Sequence, residues 1–269
     1  MSNSPKALII VEGAHAESRL FEKMAESFGL DVEIVVYGTN IYDLYRRLHD
    51  DAEADDGAGG FLNIKDVLLE MTDDEAEKAK LNGDFAYTYL VFDFDIQHHQ
   101  KDDGLNIDAR VVRNMPMLKW MAERFTDETD DTSGKLYINY PMVEAYRDAD
   151  AFFDNLYAER KIRLDDISKY KQLVASKRLS GYDVAKCGVD QVEALLKMAV
   201  FKLSVVIGQG WTRMPYEEYL KKSKTGLILN RQESFIVCSR DLFVINTSLF
   251  LPIDYKGNAL GFYDQVVGQ

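Results

Sequence analysis

Acidic residues fall at the ends of apolar runs. Ala7 to Val11 ends at Glu12-Gly13, and Glu17 follows one helical turn on. The run YTYLVF, Tyr87 to Phe92, leads straight into Asp93-Phe94-Asp95. Glu144 lies just past a third such run, Leu136 to Tyr140. Residues two apart in a strand point to the same face, so Asp93 and Asp95 are expected to present both carboxylates together. Acids gathered at one spot repel one another and raise their proton affinity. A hard divalent cation removes that penalty. Mg²⁺ takes oxygen ligands from one or two carboxylates, with water and phosphate for the rest. Such a cation polarises a phosphate oxygen and lowers the pKa of bound water. Strand ends also favour Asp and Gly for turn geometry alone, so DxD by itself does not decide the matter.

The elements that must position these acids alternate in kind. A short apolar run, a sharp stop and an amphipathic pattern from Glu17 to Phe28, closed by Gly29, read as strand, turn and helix. Val32 to Tyr37 reads as a second strand, followed by the Gly38-Thr39-Asn40 turn and a short helix over Ile41 to Leu48. Asp50 to Gly60 reads as an acidic, flexible insertion, and two short helices follow, Ile64 to Met71 and Asp73 to Leu81. Asp108 to Phe125 reads as a long helix kinked or broken at Pro116, and Thr126 to Gly134 as an acidic loop. From about Ala149 helical patterns dominate: Ala149 to Glu159, Asp165 to Ala175, Val189 to Ile207 and Tyr216 to Leu229. The segment from Ser234 to Gln269 fits a helix, a hairpin or a packed tail. The expected fold class is therefore α/β. A mostly parallel sheet with helices on both faces spans 1–148, with an insertion at about 50–83, and a mainly helical half spans 149–269. In such sheets ligands sit at the carboxyl ends of the strands, where Glu12 falls.

Bulk properties narrow the classes. The 269 residues carry 32 basic and 45 acidic side chains, a formal charge of −13. A protein that reaches nucleic acid through bulk electrostatics is normally basic, so contact here calls for a local patch, bridging cations or a partner. No apolar run is long enough to span a bilayer, and the N-terminus lacks the pattern of a signal peptide. Cys187 and Cys238 stand far apart, with no CxxC and no Cys/His cluster, which fits a reducing compartment and no structural zinc. The expected setting is cytoplasmic, without a membrane.

Other residues have two readings each. Lys169, Lys171, Lys177 and Arg178, interleaved with Tyr170 and Tyr182, fit nucleic-acid binding through phosphate contacts and stacking, or a solvated helix face. His98 and His99 could orient water or phosphate, or lie in an exposed loop. His15 could touch a phosphate or simply stand near the helix start. Arg46-Arg47 could flank the acidic site. Lys221, Lys222 and Lys224 form a weaker basic group.

VEG at Val11 to Gly13, FDFD at Phe92 to Asp95 and NYPMVE at Asn139 to Glu144, in that order, resemble a Toprim domain. This is the metal-binding α/β module of topoisomerases, primases, OLD-family nucleases and small RNA-maturation nucleases. Within it the likeness is to RloB-like and OLD-type proteins of bacterial defence loci, and it covers roughly 6–146. The resemblance implies Mg²⁺ or Mn²⁺ as cofactor. Glu12 would be a metal ligand or general acid/base, Asp93 and Asp95 metal ligands, and Glu17 and Glu144 the completion of a second metal position. The chain departs from the pattern in its long gap between Glu12 and Asp93 and in Asn-Tyr-Pro where Asn-Pro is expected.

Three functions follow as expectations. The first is a Toprim-type metal-dependent nuclease acting on DNA or RNA, with an ATPase or a second copy as partner and anti-phage defence as the setting. The second is a non-catalytic partner or sensor subunit that binds metal or nucleotide. The third is a phosphoryl-transfer enzyme of another doubly wound family, although the chain lacks a P-loop.

Overall fold

A computed structural model describes residues 5–54, 63–97, 104–130 and 132–268. The first half alternates as expected: β1 (Ala7–Val11), α1 (Ala16–Phe28), β2 (Val32–Val36), α2 (Ile41–Ala54), α3 (Ile64–Met71), α4 (Glu75–Leu81), β3 (Tyr87–Asp93), α5 (Ile107–Arg124), β4 (Thr126–Asp127) and β5 (Gly134–Asn139). The second half holds β6 (Lys161–Arg163), α6 (Tyr170–Ala175), α7 (Val189–Val206), α8 (Tyr216–Lys222), α9 (Thr225–Ser239), β7 (Asp241–Phe243), α10 (Leu251–Lys256) and α11 (Phe262–Val267), joined by 3₁₀ turns.

The main sheet has the order β2-β1-β3-β5-β4, parallel except for β4 at one edge. Ala7 to Val11 are all buried, as a strand covered on both faces requires. The chain leaves β1 toward β2 on one side and then crosses to β3 on the other. Right-handed crossovers therefore put α1 on one face and α2 with α5 on the opposite face. The gap between the ends of β1 and β3 is the switch point of the sheet. Register aligns those ends: Val11 pairs with Val91, and Asp93 with Asn139.

The second half packs onto both faces, α7 and α10 against α1, and α9 against α5. Sheet and second half share one continuous apolar core. Two buried charged groups at this junction are well partnered. Asp254, with 2% of its side chain exposed, accepts from Tyr137, from Tyr219 (3.1 Å) and from Lys135 (2.7 Å). Lys202 is fully buried, and its Nζ donates to the carbonyls of Tyr157 (2.7 Å), Ala158 (2.7 Å) and Arg160 (2.9 Å). Burial pushes its pKa down to about 7, whereas three acceptors employ all three N–H groups of the ammonium form.

Several local expectations are corrected. The helix after Asn40 does not stop at Leu48 but continues to Ala54, into the stretch read as a flexible insertion; 55–62 lie outside the described residues. Once nucleated by its Asn40 cap, a helix adds a residue at little cost, and Asp and Glu do not stop it. Helix α5 runs unbroken through Pro116. The hydrogen bond that Pro116 cannot make belongs to the carbonyl of Val112, an exposed residue whose backbone can take water instead. The acidic loop at 126–134 begins as strand β4.

No α-helix spans Ala149 to Glu159; only a 3₁₀ turn forms there, Asn155–Glu159. Asp154 accepts from the N–H groups of Asp150 (3.0 Å) and Leu156 (2.9 Å), which draws the backbone into turns. The helix read over Tyr216 to Leu229 is two helices. Lys224 is extended between them, and the second runs on to Ser239. The undecided tail contains β7, which pairs with β6, and two short helices. No helix among the described residues is long and apolar enough to cross a membrane.

Replacing Asp254 with alanine removes the nearer carboxylate of Lys135, leaving it only Glu128 at 3.5 Å, and takes the acceptor from the buried Tyr137 and Tyr219 hydroxyls. We expect urea unfolding to show a loss of about 3 kcal/mol. Breaking the exposed Glu75–Lys78 pair with Glu75→Ala should leave the midpoint nearly unmoved.

Candidate functional site

The carboxyl ends of β1, β3 and β5 open onto a cleft of about 570 Å³. Its walls include Glu12, Glu17, Asp93, Asp95 and Glu144, so all five acids singled out in the sequence meet there. Lys171, His15, Thr39 and Asn40 complete its polar lining.

Glu12 is the first residue past β1. Its N–H donates to Val91 O (3.2 Å), and its carbonyl accepts from Gly38 N–H (3.1 Å), so its backbone is held from both neighbouring strand ends. Its Oε2 accepts from Asp93 N–H at 3.1 Å, across the switch point. Asp93 Oδ1 in turn accepts from Val143 N–H at 2.8 Å. The three strand ends are thus linked through their carboxylates. Glycine at position 13 has a steric cause. A Cβ there would stand 3.0 and 3.1 Å from the Glu17 carboxylate oxygens. The buried Glu17 carboxylate instead lies against the bare backbone, where the nearby N–H groups of Gly13 and of Glu17 itself lower its pKa against the larger effect of burial.

Asp93 and Asp95 do not share a face of one strand, as the period-two rule had suggested. Strand β3 ends at Asp93, and Asp95 sits in a turn with φ +26°, a conformation Asp tolerates better than most residues. The turn is pinned from several sides. Phe94 N–H donates to Asn139 O (3.0 Å) and Pro141 O (3.1 Å), and the buried Tyr42 hydroxyl donates to Phe94 O (2.7 Å). Asn114 of α5 donates to Ile96 O (3.1 Å). The two acids reach the same cleft through this turn rather than through strand periodicity. Strain at a non-glycine residue of this kind is often found at functional sites.

Burial, opposed by the Asp93 N–H and reinforced by Asp95 and Glu17, raises the Glu12 pKa to about 7. Asp93 is raised well above the usual carboxylate range, first by burial and then by Glu12, Glu17 and Glu144. Glu17 is raised by burial and by Glu144. Near neutral pH the cluster therefore retains protons.

Of the proposed nucleic-acid contacts, only Lys171 reaches the cleft; its Nζ lies 3.1 Å from Glu144 Oε1. Lys169 lies 3.8 Å from Asp166, and Lys177 lies 3.3 Å from Asp150. Arg178 is exposed and donates its backbone N–H to Asp150. Tyr170, read as a stacking residue, is fully buried, and its hydroxyl donates to Asp148 at 3.0 Å. Its ring belongs to the core because the helix turns that face inward, which spacing among lysines could not reveal. Tyr182 is 44% exposed. Arg46 pairs with Asp43 and Arg47 lies by Tyr37; neither lines the cleft. Lys224 borders a separate cavity with Lys135, which is at the start of β5 and so at the opposite end of the sheet. His15 is exposed on the cleft wall at the start of α1, and its side chain makes no cap. His98 and His99 lie outside the described residues.

Three participants were missed. Thr39 and Asn40 were read only as turn and cap, yet they line the cleft, tied down by hydrogen bonds to Asp43. Tyr42 supports the Asp95 turn. Their signal was a polar turn directly after a strand whose carboxyl end faces the site.

The donor set is all oxygen, from carboxylates that carry excess negative charge when ionised, which fits a hard divalent cation. Glu144 Oε2 is buried without a protein hydrogen bond, a further oxygen suited to such an ion. Among the described residues no group of three or more His, Cys, Asp or Glu side chains is arranged to hold a metal ion as it stands.

Glu12 holds its proton more tightly in the folded chain, at about 7, than at its ordinary 4.5. Its cost to stability is absent below the lower value, grows as pH rises through that window and is complete above the higher. Glu12→Gln should therefore stabilise the metal-free protein at about pH 8 by on the order of 1–3 kcal/mol and change little at about pH 4. Thermal melts at the two pH values check this.

Comparison with known proteins finds no matching family model, no matching curated protein and no matching solved structure.

Proposed function

We propose that this chain is a Toprim-type nuclease that uses Mg²⁺ or Mn²⁺ to hydrolyse phosphodiester bonds in DNA or RNA, with anti-phage defence as its setting. The observation that carries the reading is the meeting of Glu12, Glu17, Asp93, Asp95 and Glu144 in one cleft at the carboxyl ends of three parallel strands. Residues from three separate motifs, over a hundred positions apart, converge there.

Glu12, Asp93 and Asp95 would hold the principal cation, with Glu17 and Glu144 beside it. A bound cation would supply polarisation of a phosphoryl oxygen and a water of lowered pKa. Glu12 is the residue suited to move a proton. Its Oε2 is fixed by the Asp93 N–H, and its pKa of about 7 in the metal-free cleft lets it hold a proton near physiological pH that it would give up on taking the cation. Asp93, held by Val143 N–H, keeps the third motif in register with the other two. His15 and the first turn of α1 stand where a phosphate could be received, with the positive end of the helix dipole toward it.

A second reading is a partner or sensor subunit that binds metal or nucleotide without cutting, in a complex with an ATPase or another copy. The charge of −13 favours it, since a free nuclease gains from a basic face. Metal binding without cleavage of any DNA or RNA substrate would select it.

Purified Glu12→Ala and Asp93→Asn proteins should lose Mn²⁺-dependent cleavage by a factor on the order of 100 or more while keeping wild-type circular dichroism. Undiminished cleavage by both variants would refute the assignment. Because Glu12 is protonated below a pH of about 7, cation binding must expel that proton. Mn²⁺ affinity should accordingly fall as pH drops through that value. Calorimetry in buffers of different ionisation enthalpy should register proton release on binding that grows as pH falls through that value.

A further inference from the structure

The five carboxylates are not equivalent in their surroundings. Glu12 is bonded to the Asp93 backbone, and Asp95 is the acid that acts on it most strongly. Glu17 feels Glu144 most strongly among its charged neighbours. Asp93 feels Glu12, Glu17 and Glu144 alike, so the five form one connected set, with Glu12 and Asp95 toward one side and Glu17 and Glu144 toward the second. Among the described residues lining the cleft, Lys171 is the one ammonium or guanidinium, and it stands on the second side, 3.1 Å from Glu144 Oε1.

We propose that Lys171 is the resident cation of the Glu17–Glu144 side. The site would then take one divalent ion, at Glu12, Asp93 and Asp95, with an ammonium in place of a second. The inference rests on the metal-site reading above and departs from the two-cation arrangement that the family resemblance implies.

The fold delivers this ammonium deliberately. Lys171 follows Tyr170, whose ring is fully buried and whose hydroxyl donates to Asp148. The Asp148 carboxylate is itself buried and receives both contacts of Arg160 Nε at 2.8 Å. Val174 buries the other end of α6. The backbone of Lys171 is therefore fixed by its neighbours, while its side chain, 67% exposed, extends to Glu144 on the adjoining 3₁₀ turn Val143–Arg147. Glu144 meets the ammonium with Oε1 and leaves Oε2 buried without a hydrogen bond, and the same positive charge acts at longer range on Asp93 and Glu17.

Charge and shape make the two kinds of cation competitors. An ammonium is a compact point charge with three donors and suits a carboxylate pair. A divalent ion bound to Glu17 and Glu144 would face Lys171 at close range, where like charges repel strongly in a partly desolvated cleft. Removing Lys171 would leave two acids with uncompensated charge and an open position between them.

Calorimetric titration of MnCl₂ into the full chain tests this, with thermal melts to confirm folding; the exposed side chain makes Lys171→Met well tolerated. Wild type should take one ion. Lys171→Met should gain a second site at least about tenfold tighter than any weak second binding by wild type, a difference of about 1.4 kcal/mol. Lys171→Arg should remain at one, and adding Glu144→Gln to Lys171→Met should abolish the gained site. Two ions in wild type, unchanged in Lys171→Met, would overturn the inference and leave the metal site standing. Loss of the single site in Lys171→Met would also overturn it, since Lys171 would then support the ion rather than replace one. Absence of Mn²⁺ binding in every protein would overturn the metal reading and the inference together.

Discussion

Repulsion among five carboxylates in a partly buried cleft is the constraint around which the structure is arranged. Left alone, such groups would spread apart or pull the surrounding loops into solvent. Here backbone N–H groups hold them in place. Asp93 N–H binds Glu12, Val143 N–H binds Asp93, and the Glu17 carboxylate lies against the backbone at Gly13. These donors come from strand ends and a helix start, where backbone groups lack partners within their own element. The charge is further reduced by protons retained on Glu12 and Asp93 and by the Lys171 ammonium.

The second half of the chain is what keeps the third strand end where the site needs it. Tyr140 and Ile245 exchange backbone hydrogen bonds at 2.8 Å, Thr247 donates to Ile138 O, and Ser248 N–H donates to Asn139 Oδ1. Asn246 donates to Val143 O, one residue before Glu144. Residues more than a hundred positions downstream thus clamp the loop that carries Glu144. Behind it, Asp148 gathers Arg160 and Tyr170, and Lys202 gathers three carbonyls of the 157–160 segment. Buried polar groups of this kind add less to stability than to uniqueness of geometry when all their partners are present. They fix the backbone of α6 from which Lys171 reaches Glu144.

The charge distribution qualifies how a nucleic acid would approach. The chain is strongly acidic overall, and the basic residues at 169–178 are mostly matched to nearby aspartates. A phosphate backbone would meet the cleft through bound cations, the start of α1 and Lys171 rather than through a broad basic face. That places the electrostatic work of recognition at the same few groups as the chemistry.

The sequence by itself determined the alternating first half of the fold and the identity of the acids. Both follow from local rules: burial on two faces makes continuous apolar runs, and the residues that end those runs lie at one edge of a parallel sheet. Tyr87–Asp93 and Ala16–Phe28 were legible for that reason. Weakly patterned segments were not. Asp154 accepts from the N–H groups of Asp150 and Leu156 and replaces a helix by turns, and the three-residue strands β6 and β7 pair with each other. The site shows the same division. Its five carboxylates could be named from position along the chain, but the Asp95 turn, the Gly13–Glu17 contact and the Lys171–Glu144 pair could not. Those depend on distances between residues brought together by packing, and local sequence carries no record of them.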